Sequence, residues 1–502
     1  MHDYKARLRS CLGNLSILGL SLAMLGVFST LLWNENLATA QVNTQVFDGF
    51  ADWCDHYVRL TPDAQHTVRI LWSRARRLNA EVSDCDSAQA VLETQTRLEL
   101  YNLKIKDIGP ITTLTNLRVL WLVDNEIEDL SPITSLTNLK TLHLVLNQIE
   151  DLRPLDQLVN LELLNLGKNQ LQDISPLANL RKLEHLWIYG NAIEDLSPIG
   201  ELTNLKVLIV YNSKVKKVDS LAGLTDLEEL WISENEIEEI EPLADLVNLK
   251  VLKLEESGIE NINALKTLVG LEELLLSDNK IRDISSLSNL TALRDLNLDG
   301  NRIKDISPLS DLNRLGILKL DNNRISDIET LSNLIYLREL SLDDNNIEDI
   351  SPLSGLVYLE DLKLHDNEVE DLSPLANLTE LWALGLSSND IENIRPLSQL
   401  TNLKFLNLSD NSIEDLSPLV QLTKLLGLYL GENEIESILP LRQLTNLEGL
   451  TLQENGIRSI APLASLNNLD YLSVYNNPLT EGDRKPRCPV EPASICIFEE
   501  PY

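Results

Sequence analysis

Positive charge is what this sequence lacks most. Its 502 residues hold 42 Lys and Arg against 77 Asp and Glu, a formal net charge of −35. A surface of that sign repels nucleic acid and anionic membranes and favours basic or multivalent-cation partners, so no nucleic-acid partner and, once the leader is removed, no membrane insertion is expected. Histidine is scarce, at six residues, and so are the motifs that carry chemistry. There is no glycine-rich phosphate loop, no G-x-S-x-G and no H-E-x-x-H, so no catalytic residue and no cofactor is assigned. No C-x₂-C spacing exists, and only His56 and His66 lie near a cysteine pair, so no metal site is assigned either. No second apolar span or sorting motif follows Tyr471.

What the chain has instead is a repeat. The stretch LTNLKFLNLSDNSIEDLSPLVQ, residues 400 to 421, is followed at once by the near copy LTKLLGLYLGENEIESILPLRQ. Steps of 22 residues from Leu92 to Leu466 land on leucine every time, giving eighteen registers without insertion or deletion. A fixed period of this size marks a solenoid, in which a unit cannot bury its leucines alone and depends on its neighbours.

Within the unit, Leu403, Leu406, Leu408, Asn411 and Ile413 spell LxxLxLxxNxI. Leu406 and Leu408 are two apart and so share one face of a short strand, which leaves the alternate positions facing solvent from a parallel sheet. Asparagine holds the turn position in fifteen of the eighteen registers. A carboxamide both donates and accepts, which suits it to the unpaired backbone groups of a buried turn and predicts an asparagine ladder. Leu103, Ser213 and Ser257 are the exceptions, and the two serines predict looser rungs. The following IxDISPL, as at Ile303 to Leu309, predicts an extended or 3₁₀ convex side. Its aspartate column, Asp129 and Asp305 among others, predicts local capping of backbone N–H groups rather than metal binding.

These units resemble the internalin-type class of bacterial leucine-rich repeats over residues 96 to 478. The flanks FADWC, PDAQHTV and CPVEPASICIF resemble those of secreted cyanobacterial internalin-like repeat proteins. The resemblance implies a non-catalytic binding module. The expected fold is an α/β solenoid, a leucine-rich-repeat horseshoe with a parallel sheet on its concave face.

Four segments follow. Residues 1–40 read as a signal peptide, with basic Lys5, Arg7 and Arg9, an apolar run from Leu12 to Trp33, and Ala38-Thr39-Ala40 ahead of Gln41. This predicts export to the periplasm, cell surface or medium; an uncleaved membrane anchor is the alternative. Residues 41–96 are expected to form a helical cap that begins at Thr61-Pro62 and buries Ala64, Val68, Leu71, Ala75 and Leu78, with Trp53 and Trp72 in its core. Residues 97–477 are the solenoid, and 478–502 a C-terminal cap. Outside the leader the four cysteines pair most simply as Cys54–Cys85 and Cys488–Cys496, one disulfide in each cap.

Function should lie on the solvent side of the sheet. Two adjacent columns there bring together Tyr101, Trp121, His143, Trp187, Tyr189, Tyr211 and Trp231, and with His185 on the same face they make an expected partner-binding patch. The two histidines are about 10 Å apart by strand spacing, too far to share a metal, and are expected to make polar contacts. Trp187→Ala or Trp231→Ala should weaken binding with little change in thermal stability. Further along, the face turns acidic with Glu255, Glu273, Asp295, Asp299, Asp321, Asp343 and Asp361, joined by Asp278, Asp344 and Asp366 and interleaved with Lys253, Lys319 and Lys363. We expect a solvated acidic face there. The reading is an exported monomer that binds a protein through the concave face. A glycan ligand, or self-assembly into an envelope structure, is the alternative.

Overall fold

The computed structural model describes residues 47–480 and 487–499. The proposed leader lies outside them. Eighteen three-residue strands recur every 22 residues from β1 (Arg97–Glu99) onward, the last being Tyr471–Ser473. Each pairs in parallel with the next at a register of one full repeat, as in Leu98 with Leu120 and Leu406 with Leu428. A two-residue strand, Cys496–Ile497, pairs with Leu472 and Ser473 and adds a nineteenth to the sheet.

The central leucine of each strand and the leucine two residues later point inward, and both Leu406 and Leu408 are fully buried. The proline of SPL starts a short 3₁₀ turn on the opposite side, as at Ser307–Leu309 and Ser131–Ser135. Proline tolerates that position because its fixed φ suits a helical first turn and its missing N–H is not needed there.

The asparagine ladder is present. Asn301 donates to the carbonyls of Leu276, Leu298 and Asp299 at 2.9 to 3.1 Å, and its Oδ1 accepts the Ile281 N–H at 3.0 Å. One side chain thus pairs four backbone groups and ties two repeats together. At the serine rungs this bridge changes: Ser257 Oγ turns back to Glu255 O at 3.0 Å, and Ser213 Oγ is buried without a partner among the described residues. The residue before each turn adopts left-handed φ, and it is Leu146 (φ 60°) or an acidic or amide residue far more often than Gly. The aspartates cap as expected: Ser307 N–H donates to Asp305 at 2.9 Å and Ser131 N–H to Asp129 at 2.7 Å. Hydrogen bonds from Ser307 hold the Asp305 carboxyl below its usual range.

Three helices close the N-terminal edge: α1 (Phe50–Asp55), α2 (Pro62–Leu78) and α3 (Cys85–Glu93). Thr61 caps α2 by accepting the Ala64 N–H at 3.1 Å. Ala64, Val68, Leu71 and Ala75 are buried. Leu78 is not; it ends the helix and is 47% exposed. Thr67 Oγ1 donates to Asp107 O at 2.7 Å and His66 Nε2 lies 2.6 Å from Leu103 O, which docks α2 on the first repeat. Trp53 and Trp72 pack against the core without being fully enclosed. Both cysteine pairs are bonded, Cys54–Cys85 and Cys488–Cys496.

Candidate functional site

The solvent side of the sheet carries three columns, as at His185, Trp187 and Tyr189, and side chains one repeat apart stand about 4.8 Å from each other. At that spacing rings touch. Tyr101 meets Trp121 edge-on at 5.5 Å between centroids, Trp121 lies 4.5 Å from His143, and His143 lies 5.8 Å from Trp187. In the third column Tyr189 and Tyr211 stack at 4.8 Å and 8°. Cations close the stack at both ends, with Arg97 5.1 Å above Trp121 and Lys253 4.4 Å above Trp231. The structure therefore brings Tyr101, Trp121, His143, Trp187 and Trp231 onto one continuous face, with His185 on the adjacent column.

Two expectations change here. His143 is not a surface polar contact: it is 4% exposed beneath the flanking indoles. Burial, reinforced by Arg97, pushes its pKa down to about 4, so the ring is neutral at pH 7. The tryptophans are half-buried, and Nε1 of Trp121, Trp187 and Trp231 is enclosed without an acceptor among the described residues. A buried donor left unpaired costs about 1–3 kcal/mol. Truncating Trp121 or Trp187 relieves that cost but removes its contact with His143 and leaves a cavity, which outweighs the gain, so stability falls as well as binding. Leu146, exposed and left-handed beside this patch, was missed by reading strand positions alone.

The acidic stretch is also not a solvated face. Asp321 N–H donates to Asp299 Oδ1 at 2.7 Å, Asp343 N–H to Asp321 Oδ1 at 2.8 Å, and His365 N–H to Asp343 Oδ1 at 2.7 Å. Each carboxylate caps the backbone of the next repeat. Ser341 adds a bond to Asp321 Oδ2 at 2.8 Å, and His365 passes the pattern on by accepting the Ser387 N–H at 3.0 Å. Burial and the neighbouring Asp321 push Asp299 up to about 6 and Asp343 to about 7. Burial also raises Asp295 and Asp361. Part of the charge is paired internally, Lys253 with Glu273 at 2.6 Å and Lys319 with Glu339 at 3.0 Å. Glu255 accepts from Ser233 Oγ at 3.2 Å. Asp278, Asp344 and Asp366 lie beyond the strands, at the left-handed turn positions. Among the described residues no group of three or more His, Cys, Asp or Glu is arranged to hold a metal ion.

A further aromatic set escaped a column-by-column reading. Tyr336, Tyr358, Trp382, Phe405 and Tyr429 come from five successive repeats but from four different positions within them, Tyr336 and Tyr358 sharing one. Their signal was present, since Tyr336 and Tyr358 replace the usual asparagine of LTNL, but it runs diagonally.

Comparison with known proteins accords with this geometry. The family described as Leucine Rich repeats (2 copies) matches residues 96–135, 137–179, 159–201, 181–223, 269–311, 291–333, 337–377 and 401–443. No curated protein matches the chain. Among solved structures, a leucine-rich-repeat protein of Leptospira interrogans is 24% identical with a TM-score of 0.65, covering 70% of this chain and 94% of that one. The functional domain of InlJ from Listeria monocytogenes is 22% identical with a TM-score of 0.53, covering 85% and 80%. The ectodomain of the Arabidopsis receptor kinase HAESA, solved with an N-terminally extended IDA peptide hormone, is 22% identical with a TM-score of 0.61, covering 76% and 74%. At these identities the likeness is one of fold.

Proposed function

The chain belongs to the leucine-rich-repeat family, and we propose that it is an exported, internalin-like, non-catalytic binding module that captures a protein partner on the solvent side of its sheet. The observation that carries this reading is the ring stack from Tyr101 to Trp187, continued on the same face by Trp231 one strand beyond Ile209. Contiguous exposed and half-exposed aromatics are the usual anchors of protein interfaces. The leucines on the other face already supply the core, so the rings are not needed to make one. Export is supported by two disulfides, which persist in oxidising compartments. No helix among the described residues is long and apolar enough to cross a membrane.

Because truncated indoles will destabilise the sheet, the test uses rings at the margin of the stack. A Tyr101→Ala/Tyr211→Ala variant and the wild type are used to capture ligands from envelope and secreted fractions, with thermal transitions recorded for both. A protein retained by the wild type and lost by the variant supports the reading. Equal capture refutes it, and retention of a glycan without protein replaces it with the carbohydrate reading.

A further inference from the structure

Five successive repeats each expose one ring, and the rings advance along the repeat. Tyr336 and Tyr358 stand two residues after Leu334 and Leu356, Trp382 four after Leu378, Phe405 five after Leu400, and Tyr429 seven after Leu422. Their exposure runs from 37% to 58%, more than most rings of the Tyr101–Trp231 stack. Tyr336 and Tyr358 lie nearly parallel at 6.4 Å, and Trp382 meets Phe405 edge-on at 6.2 Å. Phe405 lies over Gly427, where an added Cβ would come within 2.9 Å of its ring, and the next rung, Gly449, is open.

The fold has little use for this stripe. At the position of Tyr336 and Tyr358 other repeats place an asparagine that donates to a backbone carbonyl of the preceding unit, as Asn402 does to Thr379 O at 2.8 Å. The tyrosines forgo that bond and remain exposed.

The surroundings specify what would cover them. Residues 334–455 carry 22 Asp and Glu against 6 Lys and Arg. Asp366, Asp410, Glu432 and Glu454 form an exposed rim at the ends of the same strands. Burial and the carboxylates of Glu454 and Asp410 hold Glu432 above its usual range. In the Tyr101–Trp231 stack the chain supplies its own cations, Arg97 and Lys253, to the ring faces. Among the described residues no cation lies over the rings of this stripe; Arg338 is ion-paired with Glu360, and Lys424 donates to Asn402 Oδ1 at 2.7 Å.

We infer that this diagonal stripe is a second docking surface, distinct from the Tyr101–Trp231 stack, and that its occupant is an extended, cationic polypeptide segment. Guanidinium and ammonium groups satisfy ring faces and carboxylates together. A second copy of the chain, itself at −35, would be repelled. Four interstrand steps and the advance along the repeat give the stripe a length on the order of 25 Å. Eight residues of polyproline II span about the same distance.

The test is fluorescence anisotropy of labelled (Arg-Pro)₄ with the full chain, with (Glu-Pro)₄ as control. Affinity should fall about tenfold in Tyr358→Ser/Phe405→Ser and similarly in Asp410→Asn/Glu432→Gln. It should be unchanged in Tyr101→Ala, and (Glu-Pro)₄ should not bind. Thermal transitions should match the wild type, because all these side chains are exposed. Wild-type affinity in Tyr358→Ser/Phe405→Ser would overturn the inference, since only bulk charge would then hold the peptide. So would loss of binding in Tyr101→Ala, which would move the peptide to the other surface. Displacement of the peptide by a neutral oligosaccharide, or a dimer abolished by the same variants, would assign the stripe to a glycan or a second copy and equally overturn it.

Discussion

From Arg97 to Lys253 the sheet's outer columns are filled mainly by rings, and from Glu273 to His365 mainly by carboxylates, on one and the same backbone repeat. The first stretch is held by ring contacts and leaves three indole N–H groups unpaired. The second is held by hydrogen bonds that Asp299, Asp321 and Asp343 each accept from a backbone N–H of the next repeat, and it leaves like charges stacked at strand spacing. Lys253 sits at the boundary and serves both, 4.4 Å from the Trp231 ring and 2.6 Å from Glu273. The difference teaches that leucines and asparagines fasten the solenoid firmly enough for its outer columns to carry costs of opposite kinds. It also gives the halves opposite responses to pH. His143, pushed from 6.5 down to about 4, is neutral when folded, so acidification through that window protonates the unfolded chain first and weakens the fold. Asp299 and Asp343, pushed from 3.8 up to about 6 and about 7, hold protons more tightly when folded. Acidification from 7 towards 4 therefore strengthens their stretch.

Removing one ring from the first stretch and one from the exposed diagonal stripe should show the largest contrast. Trp187→Ala opens a hole beside His143 and should cost about 3 kcal/mol in denaturant unfolding, whereas Phe405→Ala, on the exposed stripe, should change stability by less than about 0.5 kcal/mol. Equal losses would mean that the rings of the first stretch are not packed as described. His143→Phe keeps the ring contact and removes the titration. The change in stability on going from pH 7 to pH 4.5 should become more favourable by about 2 kcal/mol, read from melting temperature against pH; an unaltered profile would place the acid sensitivity elsewhere. Asp321→Asn takes the middle charge out of the ladder while keeping an acceptor for the Asp343 N–H. It should stabilise the protein at pH 7.5 by about 0.5–1 kcal/mol and flatten the gain on acidification, and destabilisation would show that charge repulsion is not what the ladder carries. Lys253→Met should produce the smallest change, about 0.5 kcal/mol, and should be salt-dependent only through its Glu273 half.

Much of this was legible in the residues. The 22-residue leucine register, the asparagine rungs, the Asx caps such as Asp305 with Ser307, and both disulfides follow from spacing and local chemistry, which a repeat copies faithfully from unit to unit. The aromatic and acidic columns were legible as columns, but their states were not. His143 has no sequence mark of burial; it is enclosed because Trp121 meets it from the adjacent strand and Trp187 from two strands away, across Asn165. Asp299, Asp321 and Asp343 read as exposed charge, yet their carboxylates turn along the sheet because each unit presents an N–H to the one before it. Tyr336 and Tyr358 share one column but Trp382, Phe405 and Tyr429 each fall in another, so alignment of the repeats scatters the set.

The sequence by itself determined the repeat, its inward leucines, its turn chemistry and the places where caps are needed, because each is set within one unit or between a unit and its copy. Tertiary structure alone decided which outer side chains are buried, which protons are held and which rings line up diagonally. Those properties depend on the stacking distance between units, about 4.8 Å, and on side chains that reach across it.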